Sequence, residues 1–163
     1  AVAICKALGA KKVYATEISP YRMEMGERLG TDLILNPAKE DVDAALARLE
    51  PKGVDATLEM SGHPSSLNLA LKHTRKGGRV SLLGVYADAQ QHVDFNTIIF
   101  NGLQVHGIVG RKMWETWDQM TWLLAEKGLD VTPVVTHQFD YTEFESAIQA
   151  MKSGQAGKCV LSF

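Results

Sequence analysis

Residues 12–22 read KVYATEISPYR, a short apolar run that ends on an acid and turns directly into a helix start. The pattern predicts a buried strand over 13–16, then Glu17, then a helix that begins at Ser19 and Pro20. An acid at the carboxyl tip of a parallel strand accepts hydrogen bonds from the ribose hydroxyls of a bound dinucleotide. Its charge would repel a 2′-phosphate, so Glu17 favours NAD over NADP. The alternative is that Glu17 is an ordinary solvated charge at a strand end.

Helical and extended segments alternate from residue 1 to residue 110. Five short segments, rich in Val, Ile and Leu, have strand character and lie near 13–16, 33–35, 54–60, 79–83 and 103–109. Amphipathic stretches of helical period separate most of them. Between the last two strands, residues 85–92 are predicted to form a polar loop, and residues 93–100 are of mixed character and are left unassigned. This alternation predicts βαβ units with right-handed crossovers and a parallel sheet. The predicted fold class is therefore α/β, a Rossmann-like doubly wound parallel sheet.

The pattern changes after Gly110. A long amphipathic helix is predicted over 113–124 and a strand over 134–139. Residues 142–145 read TEFE, a capping box that predicts a helix start, and a closing strand is predicted over 158–163. Nothing in this part continues the βαβ alternation. We therefore predict two domains, a partial NAD-binding domain over 1–110 and a C-terminal segment over 111–163.

The composition is that of an ordinary globular chain. Of its 163 residues 45% are apolar and 22% are charged, and the net charge is −2. This balance gives no electrostatic reason to expect nucleic acid or an anionic membrane as a partner. No apolar run reaches the ~18 residues that span a bilayer, and no secretory leader is visible. Cys5 and Cys159 match no metal-ligand spacing, so we expect buried thiols and a cytoplasmic setting.

The residues before Lys12 suggest that part of the predicted domain lies outside the sequence. In a dinucleotide fold the glycine-rich loop precedes the ribose acid by about 20 residues, which places it before residue 1. Residues 1–8 read AVAICKAL, a helix apolar on nearly all sides that would normally be buried. We therefore expect a sheet that lacks its first, central strand and its Gly-rich loop, and a residue 1 that is not the natural start.

Several runs resemble one enzyme family. They are YATE at 14–17, LEMSG at 58–62, GGR at 77–79, LG at 83–84, GRKMWETW at 110–117 and THQF at 136–139. With the last residues, 153–163, they make essentially the whole chain similar to the C-terminal portion of zinc-type medium-chain alcohol dehydrogenases. The LEMSG and GRKMWETW runs are most similar to those of threonine dehydrogenases. The strand and glycine runs are common to the whole family.

The resemblance implies roles for particular residues. Glu17 would bind the adenosine ribose of NAD and Arg22 would flank the adenine. The segment formed by Leu83, Gly84 and Val85 would line the nicotinamide-side ribose, and Ile108 and Val109 would border the nicotinamide ring. These are the implied cofactor-binding residues. Lys158 is a weaker candidate for the pyrophosphate.

The resemblance also implies what this chain lacks. The zinc ligands, the proton relay and the phosphate-binding glycines of the family all correspond to positions upstream of residue 1. The chain therefore holds no predicted catalytic or metal-binding residue. Residues 111–163 correspond to the segment that returns to the GroES-like catalytic domain. The implied reaction oxidises a small alcohol with NAD, and L-threonine is the expected substrate. Because a missing central strand would leave strand edges unpaired, we also expect the chain to form a homo-oligomer.

Other interpretations stay open at this point. The chain could instead derive from a polyol or secondary-alcohol dehydrogenase, from a non-catalytic nucleotide-binding or assembly module, or from an adenosyl-methionine methyltransferase. Within the LEMSG run, Glu59 and Ser61 are either a catalytic acid beside a nucleophile or, as we favour, a turn that lines the cofactor cleft. Arg111 either contacts phosphate or caps the next helix. The tryptophans at 114, 117 and 122 indicate packing or subunit contact.

Overall fold

The computed structural model describes all 163 residues, which form seven α-helices, two short 3₁₀ helices and seven strands. The helices are α1 Val2–Ala7, α2 Pro20–Arg28, α3 Val42–Leu49, α4 Pro64–His73, α5 Phe95–Asn101, α6 Glu115–Ala125 and α7 Phe144–Lys152. The strands are β1 Tyr14–Thr16, β2 Leu33–Leu35, β3 Val54–Glu59, β4 Thr74–Leu82, β5 Gln104–Gly107, β6 Val135–Asp140 and β7 Lys158–Ser162. The 3₁₀ helices are Thr132–Val134 and Tyr141–Glu143. None of the helices is both long enough and apolar enough to cross a membrane.

The chain folds as two compact units. The central unit is Asp41–Arg111, and the two-segment unit combines Ala1–Glu40 with Lys112–Phe163. Residues 1–40 therefore group with the C-terminal segment rather than with the residues that follow them. The boundary predicted near Gly110 separates a cofactor domain from a catalytic segment, and that assignment stays a prediction.

The central unit is a parallel sheet with the strand order β3-β4-β5. Helix α4 packs against β3 and β4 and supplies most of the core. The core side chains are Leu67, Ala70, Leu71, Val80 and Leu103. Their burial is the main favourable term in the stability of this unit. Because the three strands are parallel, their carboxyl ends and the loops that follow lie at one edge of the sheet.

Strand β4 begins five residues earlier than predicted. It starts at Thr74 rather than Arg79 because Thr74 pairs with Val54, before a register shift that places Arg79 opposite Ala56. The Thr74 hydroxyl also lies 2.8 Å from the hydroxyl of Thr57. Gly53, which precedes β3, has a φ of +82°, and a Cβ there would lie 2.6 Å from the backbone nitrogen of Arg75. These contacts between distant residues have no local sequence signal.

Helix α5 occupies a stretch that the sequence left unassigned. Its first turn is capped by Asp94, whose carboxylate accepts hydrogen bonds from the amides of Asn96 (2.9 Å) and Thr97 (3.4 Å). It ends at Gly102, which adopts the left-handed conformation typical of a helix stop. Both signals are present in the sequence.

The two-segment unit contains two parallel strand pairs, β1 with β2 and β6 with β7. All five strands predicted for residues 1–110 form, and they pair in two separate parallel ladders, as a sheet that lacks its central strand would. Each residue of β1 pairs with a residue of β2, while β3, β4 and β5 form a ladder of their own.

The predicted start of α2 is confirmed. The Ser19 hydroxyl accepts a hydrogen bond from the amide of Arg22 at 3.5 Å, and Pro20 takes the first helical position. Helix α1 also forms, and Gly9 follows it with a φ of +87°. The predicted burial of α1 is not found within this chain, because no residue of the helix is fully buried.

The helix start near residue 142 is displaced from its predicted position. The cap is Asp140 rather than Thr142: its carboxylate accepts from the amide of Thr142 at 3.0 Å, and the Glu143 side chain accepts from the amide of Asp140 at 3.2 Å. This box opens a 3₁₀ turn that leads into α7. Asp competes well with Thr as a capping residue, which explains a shift of two positions.

Candidate cofactor-binding site

Glu17 directly follows β1, at the position that the sequence predicts. Its backbone amide continues the strand pairing by donating to the carbonyl of Leu35 at 3.1 Å. Its Oε1 accepts hydrogen bonds from the amides of Ile18 and Ser19, both at 2.9 Å. The carboxylate is therefore held at the strand tip by its own loop. Oε2 takes no part in either bond, and the role of Glu17 toward a ribose stays a prediction.

Asn36 supports the Glu17 loop, and sequence reasoning missed it. This side chain is 3% exposed, and its Nδ2 donates to the carbonyl of Ile18 at 3.5 Å. Its Oδ1 accepts from the amide of Ala38 at 2.9 Å. In the sequence Asn36 precedes Pro37 and reads only as a turn residue, so its tie to residue 18 had no visible signal.

Arg22 and Lys158 both lie in the same unit as Glu17. Arg22 is exposed in the first turn of α2, and Lys158 is exposed at the first position of β7. Their side chains are open to solvent, which leaves them accessible to an anionic ligand. Their roles toward adenine and pyrophosphate stay predictions.

The other predicted residues meet at the carboxyl edge of the central sheet. The amides of Leu83 and Gly84 donate to the carbonyl of Glu59, at 2.8 and 3.2 Å, which ties the loop after β4 to the end of β3. The amide of Ile108 donates to the carbonyl of Leu82 at 2.9 Å, which ties the segment after β5 to the same loop. The structure therefore brings Leu83, Gly84, Val85, Ile108 and Val109 to one sheet edge.

This edge carries an exposed apolar rim. The side chains of Val85 and Val109 are 91% and 94% exposed, and those of Leu83 and Ile108 are about half-exposed. An apolar surface beside backbone groups suits a flat heteroaromatic ring with a polar substituent. The composition of the edge is thus compatible with the predicted nicotinamide position.

Gly84 is required by a contact that the sequence did not reveal. A Cβ at this position would lie 2.1 Å from the backbone nitrogen of Gly62 and 2.6 Å from Oε2 of Glu59. Gly62 itself has a φ of +69°, and a Cβ there would lie 2.3 Å from the carbonyl oxygen of Val85. The two glycines let the turn after β3 and the loop after β4 touch through their backbones. The sequence explained Gly84 only by the approach of a ligand.

Glu59 is a buried carboxylate at the centre of this contact. The side chain is 2% exposed. Its Oε1 accepts from the Ser61 hydroxyl (2.6 Å) and from the amides of Ser61 (2.9 Å) and Gly62 (3.1 Å). Its Oε2 accepts from the phenol of Tyr86 at 3.0 Å. Burial acts to raise the pKa of Glu59, but the hydrogen bonds outweigh it and hold the pKa below its ordinary value.

Glu59 and Ser61 therefore form a structural turn rather than an acid beside a nucleophile. A carboxyl group with a lowered pKa stays ionised and is a poor proton donor. The Ser61 hydroxyl is occupied as well, since it donates to Glu59 and accepts from the amide of His63 at 3.1 Å. Burial and the neighbouring carboxylate raise the pKa of Tyr86 to about 12, so this phenol keeps its proton.

The burial of residues in and directly after β3 does not follow a simple alternation of buried apolar and exposed polar side chains. Leu58 and Met60 are about half-exposed, whereas Thr57 is half-buried and Glu59 is buried. Glu59 therefore points inward, where its own turn and the phenol of Tyr86 bind its carboxylate. Tyr86, which the sequence placed in a polar loop, was missed as its partner.

No residues of this chain fit a zinc site. No group of three His, Cys, Asp or Glu side chains comes close enough together to hold a metal ion. His63 and His73 have other partners, since His63 caps α4 and the Nε2 of His73 lies 2.6 Å from Asp43. Cys5 and Cys159 are half-buried free thiols.

Two further features lie away from these residues. A cavity of about 330 Å³ in the two-segment unit contains none of the predicted cofactor residues. Its walls are Ala3, Lys6, Ala7, Arg28, Leu29, Lys127, Gly128, Leu129, Asp130 and Pro133. Trp114, Trp117 and Trp122 are exposed rather than packed inside, and Lys127 lies over the ring of Trp122 at 4.9 Å. Their predicted role in subunit contact stays a prediction.

Comparison with known proteins gives relatives along the whole chain. An L-threonine 3-dehydrogenase from Chromobacterium violaceum is 42% identical over 164 aligned positions, which cover 100% of this chain and 48% of the relative. This chain thus spans about half the length of the curated relatives that it matches.

Solved structures share the fold. L-idonate 5-dehydrogenase from Escherichia coli K-12 is 30% identical with a TM-score of 0.82, covering 99% of this chain and 46% of that one. An alcohol dehydrogenase from Escherichia coli CFT073, described as complexed with cofactor NADH, has a TM-score of 0.86 at 21% identity and shows the fold alone. Its match covers 99% of this chain and 48% of that one. The parallel α/β architecture is thus Rossmann-like, as predicted.

A family match removes the methyltransferase alternative. Residues 1–126, more than three quarters of the sequence, match the family described as Zinc-binding dehydrogenase. The resemblance stated from the sequence is confirmed, and the chain belongs to the zinc-binding dehydrogenase family.

Proposed function

We propose that this chain supplies the NAD-binding part of an NAD-dependent L-threonine 3-dehydrogenase. The reaction converts L-threonine and NAD into 2-amino-3-oxobutanoate and NADH. The observation that carries the proposal is the 42% identity to the Chromobacterium violaceum enzyme along the entire chain. Family membership alone supports a dehydrogenase activity. The sequence identity to an L-threonine 3-dehydrogenase along the whole chain supports L-threonine as the substrate.

The proposed cofactor roles are those that the family resemblance implies, and the geometry of each unit, taken separately, is compatible with them. In the two-segment unit, Oε2 of Glu17 accepts a hydrogen bond from the adenosine ribose, and Arg22 flanks the adenine. In the central unit, Leu83, Gly84 and Val85 line the nicotinamide-side ribose, and Ile108 and Val109 border the ring. NAD, when bound, accepts the hydride from the alcohol carbon. This chain's residues bind and orient the cofactor.

The zinc ion that the family name implies has no binding site among these residues. No group of three His, Cys, Asp or Glu side chains in this chain fits zinc, and we propose that the zinc ligands and the proton relay lie outside these 163 residues. The catalytic role of this chain is then limited to holding the hydride acceptor.

A polyol or secondary-alcohol dehydrogenase is the second candidate. The 30% identity to L-idonate 5-dehydrogenase, a structure that matches 99% of this chain, favours it. The choice between the two is tested on the natural gene product that contains this chain. With NAD present, L-threonine should be oxidised faster than butane-2,3-diol or a hexitol. Faster turnover of the diol or hexitol would refute threonine as the substrate, and no turnover of any alcohol would favour a non-catalytic nucleotide-binding module.

The isolated chain should bind NAD weakly. The pyrophosphate of a dinucleotide is normally held by a Gly-rich turn at a helix N-terminus, and the 163 residues contain no GxGxxG run. We expect a dissociation constant weaker than about 100 µM by NMR titration, and weaker still for NADP, given the charge of Glu17. Glu17→Gln should reduce the preference for NAD over NADP. A micromolar dissociation constant, or a Glu17→Gln variant with unchanged preference, would contradict the assigned roles.

We also propose that the chain forms a homo-oligomer. All four residues of β5 are exposed, and this strand pairs on one side only, with β4. An open strand edge is a template for pairing with another chain. Light scattering at 10-fold serial dilutions should show a dimer or larger species. A monodisperse monomer at every concentration would refute this.

A further inference from the structure

Glu59 binds the loop after β4 through two different groups. Its main-chain carbonyl accepts from the amides of Leu83 and Gly84, and its carboxylate accepts from the phenol of Tyr86. The same carboxylate also fixes the turn after β3 through Ser61 and Gly62. A buried charge is tolerated only where hydrogen bonds satisfy it, so all these donors must stay in place together.

Apolar packing of Leu83 and Val85 does not hold the loop after β4 in place of these hydrogen bonds. Leu83 and Val85 leave much of their side chains in solvent, so burial does not hold the loop in one conformation. Tyr86 is the side chain that anchors it: the ring packs against the central core, and the hydroxyl reaches Oε2 of Glu59. The next residue along the chain that packs against this core is Val93, which directly precedes the cap of α5 at Asp94.

We propose that Glu59 and Tyr86 are positioning residues of the cofactor site, which clamp the loop 83–86 against the Gly62 turn so that it presents one conformation to the nicotinamide half of NAD. This inference rests on the proposed function. Neither side chain touches the cofactor in this scheme. Each acts through the backbone of Leu83, Gly84 and Val85.

Tyr86→Phe isolates one bond of the clamp. The ring can keep its packing against the core, and only the hydroxyl that donates to Glu59 is lost. A hydrogen bond to a charged acceptor contributes enough that its loss should weaken NAD binding about 5-fold to 10-fold. Glu59→Gln keeps the shape and removes the charge, and it should weaken NAD binding by about 10-fold or more. Binding of AMP, which has no nicotinamide half, should be unchanged in both variants.

The experiment titrates the isotope-labelled 163-residue chain with NAD and with AMP and follows backbone NMR signals. Hydrogen exchange of the Leu83 and Gly84 amides is measured without ligand. Exchange there should accelerate about 10-fold in Tyr86→Phe, while the amide of fully buried Val80 should keep its protection. Tyr141→Phe is the matched control, since Tyr141 is half-exposed and stacks on Phe163 in the other unit.

Each outcome decides the proposal. Loss of NAD affinity with retained AMP affinity and faster loop exchange supports it. Equal loss of both affinities, or faster exchange at Val80 as well, indicates general destabilisation and overturns it. Unchanged NAD affinity in Tyr86→Phe and Glu59→Gln overturns it too. If the unchanged chain binds neither ligand, the same variants are compared in the natural gene product that contains it. There an unchanged KM for NAD in Tyr86→Phe and Glu59→Gln overturns the positioning role, whereas failure of the unchanged gene product to oxidise L-threonine refutes the proposed function.

Discussion

Replacing Gly84 with alanine is expected to lower the free energy of unfolding by about 3 kcal/mol or more. The new methyl carbon would lie 2.1 Å from the backbone nitrogen of Gly62, well inside contact distance. Backbone atoms cannot rotate away as a flexible side chain would, so the loop after β4 must move. Moving it stretches the bonds from the amides of Leu83 and Gly84 to the carbonyl of Glu59. Urea denaturation followed by circular dichroism measures the change.

Gly107→Ala is the matched control for this prediction. Gly107 is the last residue of β5, and a Cβ there would meet no atom within 4 Å. Its stability should stay within about 0.5 kcal/mol of that of the unchanged chain. Gly62→Ala should resemble Gly84→Ala, because it combines a φ of +69° with a contact of 2.3 Å to the Val85 oxygen. If Gly84→Ala unfolded at the same urea concentration as Gly107→Ala, the tight contact between the two loops would be refuted.

The features that sequence predicted well depend on neighbouring residues. The start of α2 is encoded by Ser19 and Pro20, which act within one helical turn. The position of Glu17 follows from the strand before it and the helix after it. The signals that bound α5 are equally local, since Asp94 caps its start and Gly102 ends it. The helix was not predicted because the run between these two residues is of mixed character.

The features that sequence missed depend on residues far apart in the chain. Gly62 and Gly84 touch through their backbones although one helix and one strand separate them in the chain, and nothing in either local run encodes the pairing. Glu59 reads as a charge at a strand end, which normally means solvent, yet donors from the Tyr86 loop and its own turn keep it buried. Strand pairing was similarly uncertain, because a run of Val and Leu specifies a strand but not its neighbour.

The second large expected effect concerns the 163-residue chain by itself, which should form no NADH from L-threonine and NAD. Family enzymes polarise the alcohol on zinc, and no group of three side chains in this chain fits a metal ion. Without zinc, the transition state loses several kcal/mol of stabilisation, which lowers the rate at least about 1000-fold. A rate that low lies below the background of an absorbance assay for NADH. Added zinc should not restore activity. Threonine-dependent NADH formation that rises with the concentration of the chain would refute this.

A fusion protein distinguishes two explanations for an inactive isolated chain, namely missing zinc ligands and a defective cofactor site. In it, this chain replaces the matching 48% of the Chromobacterium violaceum relative, whose other half stays intact. Because the zinc ligands are predicted to lie in that other half, the fusion should oxidise L-threonine with NAD while the isolated chain does not. Glu17→Gln in the fusion should then raise the KM for NAD and leave the KM for L-threonine unchanged, since Glu17 is assigned to the adenosine ribose. A fusion that folds and holds zinc but cannot reduce NAD would place the defect in this chain, and the assignment of its cofactor residues would be wrong.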